Sequence, residues 1–323
     1  MTSPCALAIG FAIDFFVGDP EGFPHPVRLM GRAVSLLEKP LRRAFPETSK
    51  GERTAGALMW IIVASLSLLI PALILALCQR IGAPLRLAAE SLMCWQALAA
   101  RSLKDESLEV AKALESGDLK AARKDVSMIV GRDTEKLDEA GVARAAVETV
   151  AENTSDGVIA PLFFAAIGGA PLAMMYKAVN TMDSMVGYID PPYTDVGRVP
   201  AKADDAFNYI PARVSALLMI AAGALLGFDA KNGLRIFRRD RYKHASPNSA
   251  QTEAACAGLL GLQLAGDASY GGVLRKKEHI GDPLRPIEAK DIERSCRIMY
   301  LASFLALLLF SAARLAALNI AGF

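Results

Sequence analysis

The sequence predicts an all-α, polytopic integral membrane protein with about 4–6 membrane-embedded helices and long helical or irregular extramembrane loops. Three observations carry this expectation. The chain is 53% hydrophobic with a mean hydropathy of +0.29, more apolar than soluble domains usually are. The apolar residues are clustered: Ala55–Cys78 runs 24 residues without a charge, and 298–323 is interrupted only by Arg314, which can snorkel to an interface. The stretches between them carry helix caps and turn residues, and none shows a long alternating strand pattern.

Taken in order, 4–17 is a short apolar segment with Asp14 inside it. It lacks a basic leader and a small-x-small cleavage site, which argues against a signal peptide. Residues 18–54 read as a polar, Pro-rich loop. Leu85–Ala100 carries Arg86, Glu90 and Gln96, so it reads as amphipathic or buried against protein. Residues 101–156 read as a soluble helical insert. Its first helix, 103–114, breaks at Ser116-Gly117-Asp118; Asp118 caps a second helix ending near Gly131, and Thr134 caps a third that runs toward Glu152.

Val158–Tyr176 is uncharged, with Gly168-Gly169-Ala170-Pro171 midway. That interruption predicts two short half-helices or a re-entrant hairpin, with a straight crossing as the alternative. Residues 177–211 are polar and punctuated by Gly and Pro; Pro211 then opens the apolar stretch 212–228. Residues 229–297 form a second Gly-rich extramembrane region. The whole reads as a single membrane domain, 1–323, with extramembrane insertions at 18–54, 101–156, 177–211 and 229–297.

A net charge of +2 gives no reason to expect nucleic acid. The basic loops 28–53, 101–144 and 231–243 would all prefer the cytoplasmic side, so the positive-inside rule yields no unique topology. Five cysteines without a CxxC pair argue against a disulfide framework or a zinc site. There is no GxxxxGK[ST] loop, and GLLGLQLAG (258–266) lacks the context of a dinucleotide fingerprint.

The polar residues cluster where apolar spans begin and end. Glu152, Asn153 and Asp156 precede Val158, with Arg144 and Glu148 on the same helix face as Glu152. Lys177, Asn180 and Asp183 follow Tyr176 at helical spacing. Arg198, Lys202, Asp204, Asp205, Asn208 and Arg213 lead into the next span. Ionisable groups at membrane level mark sites or ion paths more often than they serve solubility. Carboxylates mixed with Arg and Lys suit a Mg²⁺–phosphate substrate, the former for the metal and the latter for phosphate oxygens. A hairpin at Gly168–Pro171 would return Lys177–Asp183 to the side holding Glu152 and Asp156; a straight crossing would separate them. Asp14, Asp19 and His25 form a second-rank group, and solvated ion pairs or caps are the plainer reading of each cluster. A last group runs from Ser246-Pro247-Asn248-Ser249 through Glu253 to Gly281-Asp282-Pro283; its glycines allow close ligand approach but read more safely as loop punctuation on sequence alone.

Several runs resemble one family closely: GDPEGFPHPVRLMG (18–31), SMIVGRDTEKLDEAGVARAAVETVAENTSDGVIAPLFF (127–164), YKAVNTMDSMVGY (176–188), GRVPAKADDAFNYIPAR (197–213) and SPNSAQTEAACAGLLGLQLAG (246–266). They are similar to the CobD/CbiB-type adenosylcobinamide-phosphate synthases, integral membrane proteins of cobalamin biosynthesis. The likeness spans essentially the whole chain in order, with Gln251-Thr252 more polar than the family pattern leads one to expect. It implies an ATP- and Mg²⁺-dependent amide ligation of a corrin carboxylate, that of adenosylcobyric acid, with (R)-1-amino-2-propanol phosphate, at the inner cell membrane. Carried onto these residues, Glu152, Asp156 and Asp183 would hold Mg²⁺. Lys177, Asn180, Arg198, Lys202, Arg213 and Asn153 would bind substrate and phosphates, and Asp204, Asp205 and Asn208 would be the catalytic group, positioning the amine or a second metal ion. The expected partners are the corrinoid, the amino alcohol phosphate, the lipid bilayer and other enzymes of the pathway. A transporter or a non-catalytic scaffold for the pathway are the competing readings.

Overall fold

The computed structural model describes residues 4–20, 22–188 and 190–320. Its elements in chain order begin with α1 (Pro4–Val17), α2 (Pro26–Ala44), α3 (Ser49–Ile81), α4 (Ala83–Ala97), α5 (Ala100–Glu115), α6 (Leu119–Ser127) and α7 (Glu139–Asn153). A π-helical turn, Thr154–Ile159, leads into α8 (Ala160–Val186), α9 (Arg198–Phe207), α10 (Tyr209–Leu225), α11 (Ala230–Asp240) and α12 (Ser249–Leu260). Four three-residue strands follow, β1 (Gln263–Ala265), β2 (Ala268–Tyr270), β3 (Val273–Arg275) and β4 (His279–Gly281), and α13 (Lys290–Ile320) closes the chain. The protein is all-α and membrane-embedded, as its composition predicts. Three helical stretches are long and apolar enough to cross a bilayer: Ser49–Ile81, Glu139–Val186 and Lys290–Ile320; counting Arg198–Phe207 with Tyr209–Leu225 makes four. The shorter apolar helix α1 joins them.

The chain forms two compact units. The first comprises 1–98, 160–208 and 307–323; the second comprises 99–159 and 209–306. In the first, α8 is the hub and touches α1, α2, α3, α4 and α9. The exposed side of α3 carries Ile61, Leu66, Leu69, Ile70, Leu73, Ile74 and Leu77, a surface that only lipid makes inexpensive.

Residues 18–54 are not a loop, contrary to expectation. Pro26 sits in the first turn of α2, where its missing N–H costs nothing, and His25 Nδ1 accepts from the Val27 N–H at 3.3 Å. Met30 and Val34, one turn apart, bury the apolar stripe of α2, and α3 is already under way at Ser49. The prolines mark a helix start rather than a break. His25 therefore caps a helix, with Asp19 3.6 Å from its Nε2.

The Gly168–Pro171 interruption is a chain reversal inside the first unit. Gly169 has φ 77° and ψ −173°, a conformation essentially reserved for glycine. Phe164 and Tyr176 stand twelve residues apart, about 18 Å in a straight helix. Their rings nevertheless stack with centroids 5.0 Å apart. A Cβ on Gly168 would lie 2.8 Å from Leu172 Cβ, where a regular turn leaves about 5–6 Å. The helix that arrives at Gly168 therefore ends there, and the chain folds back against the arm from Ala170 onward. The apolar stretch that passes on length and composition is thus a hairpin, not a straight span.

In the second unit, α12 is the centre: all twelve of its residues are buried, against α7, α10, α11, β1 and β4. A helix of mostly small residues, with six Ala, Gly and Cys among SAQTEAACAGLL, admits such close neighbours. Asp118 caps α6 as expected, accepting from the Ala121 N–H at 2.9 Å. The third helix of this insert starts later than expected: Asp138, not Thr134, accepts from the Gly141 N–H at 2.7 Å. Two antiparallel pairs, β1 with β4 and β2 with β3, lie in the Gly-rich region. Strands of three residues are too short for periodicity to reveal them.

Candidate functional site

Glu152, Asn153, Asp156 and Arg213 belong to the second unit; Lys177, Asn180, Asp183, Arg198, Lys202, Asp204, Asp205 and Asn208 belong to the first. Each polar set is described in turn.

In the first unit, α9 presents two faces. Asp204 and Asn208, one turn apart, turn inward onto α8: Tyr176 Oη donates to Asn208 Oδ1 at 2.8 Å, Asn208 Nδ2 to Asp204 Oδ2 at 3.0 Å, and Asn180 Nδ2 to Asp204 Oδ1 at 3.3 Å. Tyr176 and Asn208 are fully buried, so this chain of hydrogen bonds locks α9 to the hairpin arm. Arg198 and Lys202 lie on the other face, exposed, and Lys202 pairs with Asp205 at 3.6 Å. The cations therefore do not join Asp204 and Asn208, although the sequence places all of them within eleven residues. Lys177 and Asp183 are half-buried on the outgoing arm of the hairpin. Asp14 is fully buried in α1.

The second unit assembles a denser group. The segment singled out by its charges, 154–159, is a π-helical turn, a distortion that recurs at functional sites. It follows α7, from which Glu148 and Glu152 project one turn apart. Ser249 at the start of α12 donates its hydroxyl to Glu152 Oε1 at 2.8 Å. Glu148 forms an ion pair with Arg132 and accepts from the Ala265 N–H at 2.6 Å. Ala265 has φ 58°, the one non-Gly residue with positive φ among the described residues. Such strain persists where neighbours enforce it, and it concentrates at functional sites.

One turn beyond Ser249, Glu253 lies buried in α12, its Oε2 without a hydrogen-bond partner. Burial, and then the charges of Glu152 and Glu148, hold its carboxyl well above the usual carboxylate range; Lys277 and Arg132 offset only part of this. His244 is shifted down, chiefly by burial, against the opposing pull of Glu152; its Nδ1 accepts from the Ser246 N–H at 3.1 Å, so the neutral imidazole carries its proton on Nε2 and presents a donor there. Arg213 reaches the same loop: it donates to Asn248 Oδ1 at 3.2 Å and stacks 3.6 Å over the Tyr209 ring. Asn153 donates to the Thr149 carbonyl at 3.0 Å, and Asp156 is half-buried in the π turn.

A buried carboxyl held well above its usual range, a neutral imidazole and a preoriented guanidinium suit proton transfer next to a phosphate-bearing substrate. Among the described residues no three His, Cys, Asp or Glu side chains form a group able to hold a metal ion. Mg²⁺ carried on nucleotide phosphates needs only one or two protein carboxylates, and Glu152, its orientation fixed by Ser249, fits that requirement.

Glu253, His244, Ser249 and Glu148 were not ranked as site residues from sequence. The signal present was a carboxylate inside an uncharged small-residue run, TEAACAG, which is costly to bury without a purpose.

The comparisons with known proteins agree in kind. Residues 7–299 match the family model described as CobD/Cbib protein. The chain is 48% identical over 309 residues to the cobalamin biosynthesis protein CbiB of Salmonella typhi, covering 96% of this chain and 97% of the relative. It is 46% identical over 299 residues to the cobalamin biosynthesis protein CobD of Clostridium perfringens, covering 93% and 94%. The CobD protein of Citrobacter koseri is 46% identical over 309 residues, covering 96% and 97%. No solved structure matches. A family model over nearly the whole chain and relatives this similar along their full length leave one assignment: the chain belongs to the CobD/CbiB family.

Proposed function

We propose that this membrane protein acts in cobalamin biosynthesis as an amide-forming ligase of the inner cell membrane. It joins a carboxylate of adenosylcobyric acid to the amine of (R)-1-amino-2-propanol phosphate, consuming ATP and giving adenosylcobinamide phosphate. The observation that carries the reading is the buried carboxyl of Glu253 beside Glu152, Glu148 and His244, in a chain of the CobD/CbiB family.

The chemistry balances in two steps. A corrin carboxylate oxygen attacks the γ-phosphorus of ATP, the bond from that phosphorus to the β-bridging oxygen breaks, and ADP leaves. The amine nitrogen then attacks the acyl phosphate carbon, the C–O bond to phosphate breaks, and inorganic phosphate departs with the electron pair. The amine must shed protons, and Glu253, a buried carboxyl held well above the usual carboxylate range, is suited to take one; His244, its Nδ1 occupied by the Ser246 N–H, presents Nε2–H as a donor. Arg213, held by Asn248 and Tyr209, offers its guanidinium to phosphate oxygens. Glu152 is the carboxylate suited to the Mg²⁺ of the nucleotide, which neutralises phosphate charge when bound.

Purified protein in lipid nanodiscs, supplied with ATP, Mg²⁺, adenosylcobyric acid and the amino alcohol phosphate, is expected to form the amide with equimolar ADP and phosphate. Substrate uptake into vesicles without amide would mean a transporter, and neither activity would mean a scaffold.

A further inference from the structure

A second cationic site lies in the first unit, on the face of α9 turned away from Asp204 and Asn208. A cavity of about 470 Å³ is lined by Arg53 and Trp60 of α3 and by Arg198, Val199, Lys202 and Ala203 of α9. Gly56 makes the juxtaposition possible. It lies between Arg53 and Trp60 on the same side of α3, and a Cβ there would meet the Val196 carbonyl oxygen at 1.9 Å. With hydrogen instead, the chain at Val196 rests directly on α3 and brings Arg198 and Lys202 to the cavity that Trp60 lines.

We propose that this cavity binds the phosphodiester headgroup of an anionic phospholipid. Three features select that ligand. The first is charge. Arg53 pairs with Asp195 at 2.8 Å and Lys202 with Asp205 at 3.6 Å, so three cations meet two carboxylates and one positive charge is left, matching a monoanion. The second is an unmet donor: Trp60 Nε1 is buried with no hydrogen-bond partner among the described residues, which a phosphate oxygen would satisfy. The third is depth. Trp60 stands about 10 Å along α3 from Arg53, and the exposed leucines and isoleucines of this helix begin beside it, with Leu58 and Ile61. An indole at that level with basic side chains above it has the arrangement of a membrane–water interface. Arg53 and Lys202 are exposed enough to reach a headgroup, while Val199 and Ala203 give the first acyl carbons an apolar wall.

The test uses the full chain in nanodiscs with the second tryptophan removed by Trp95→Phe, so that Trp60 is the sole indole. Quenching by dibrominated phosphatidylglycerol is compared with quenching by dibrominated phosphatidylcholine at equal mole fraction. The anionic lipid is expected to quench more strongly, and its apparent affinity to fall about fivefold for each cation removed, in Lys202→Gln and in Arg198→Gln/Lys202→Gln. Lys202→Gln alters an exposed side chain and so reports binding in a folded protein. Equal quenching by the two lipids would overturn the proposal. So would loss of the preference when millimolar inorganic phosphate or amino alcohol phosphate is added, since the cavity would then be a site for soluble phosphate.

Discussion

Ser249 donates its hydroxyl to Glu152 at 2.8 Å across 97 residues of sequence, and so ties the start of α12 to the end of α7 beside the π turn. The bond fixes one oxygen of the carboxylate that the proposed ligase uses at the nucleotide. Glu152→Gln is expected to lower kcat/KM about 100-fold or more. Ser249→Ala, which frees the carboxylate without removing it, is expected to cost only about tenfold. The two together should cost no more than Glu152→Gln alone, because one acts through the other; steady-state rates of amide formation check this.

Glu253 carries a stability cost. Its carboxyl ionises above the ordinary value in the folded chain, so the unfolded state binds fewer protons at neutral pH. The penalty begins above the unfolded value of about 4.5 and grows until the folded group ionises. Glu253→Gln is therefore expected to raise the thermal midpoint at pH 7.5 by a few degrees while lowering the rate of amide formation. Thermal scans and rates between pH 6 and 9 measure both.

Asp240 behaves oppositely. Although burial works against its charge, hydrogen bonds from Arg239, the Gly281 N–H and Lys243 bring its carboxyl down to about 2. A depressed carboxylate stabilises the fold above its unfolded value of about 3.9, and that contribution is lost as pH falls toward 2. Asp240→Asn is expected to cost on the order of 1–2 kcal/mol at pH 7 and almost nothing at pH 2, measured by denaturant unfolding at both.

The hairpin of α8 depends on Gly169. At φ 77° and ψ −173° any Cβ is strained, so Gly169→Ala is expected to destabilise by about 1–3 kcal/mol. Phe164→Ala, which removes one of the two stacked rings, should cost a comparable amount. Gly168→Ala would add a contact of 2.8 Å with Leu172. Unfolding in detergent, followed by circular dichroism, tests all three.

Arg213 is held over Tyr209 at 3.6 Å and by Asn248. Arg213→Lys keeps the charge and loses the stacked fork, so a rise of about tenfold in KM for the phosphate-bearing substrate is expected with little change in kcat.

Much of the architecture was legible because it follows from local chemistry. The uncharged run from Ala55 needs lipid wherever it sits, and Asp118 caps a helix whatever lies beyond. Gly168-Gly169-Ala170-Pro171 announced a break, since no regular helix accommodates it inexpensively. The polar ends of the spans were visible as clusters, but which side chains face inward, as Asp204 and Asn208 do, and which stay exposed, as Arg198 and Lys202 do, was not. What stayed hidden depends on partners distant in sequence. The residues 26–44 looked like a loop because prolines obscured an amphipathic stripe whose purpose is set by neighbouring helices.

The sequence by itself determined the class of protein, its family and the existence of a break in the chain at Gly169, because hydropathy, residue order and glycine conformation are properties of short segments. Only the tertiary structure decided that the break is a reversal, that α9 turns Asp204 and Lys202 to opposite faces, and that Glu253 meets Glu152. Burial and electrostatic coupling arise from three-dimensional packing, and no window of sequence contains both members of those pairs.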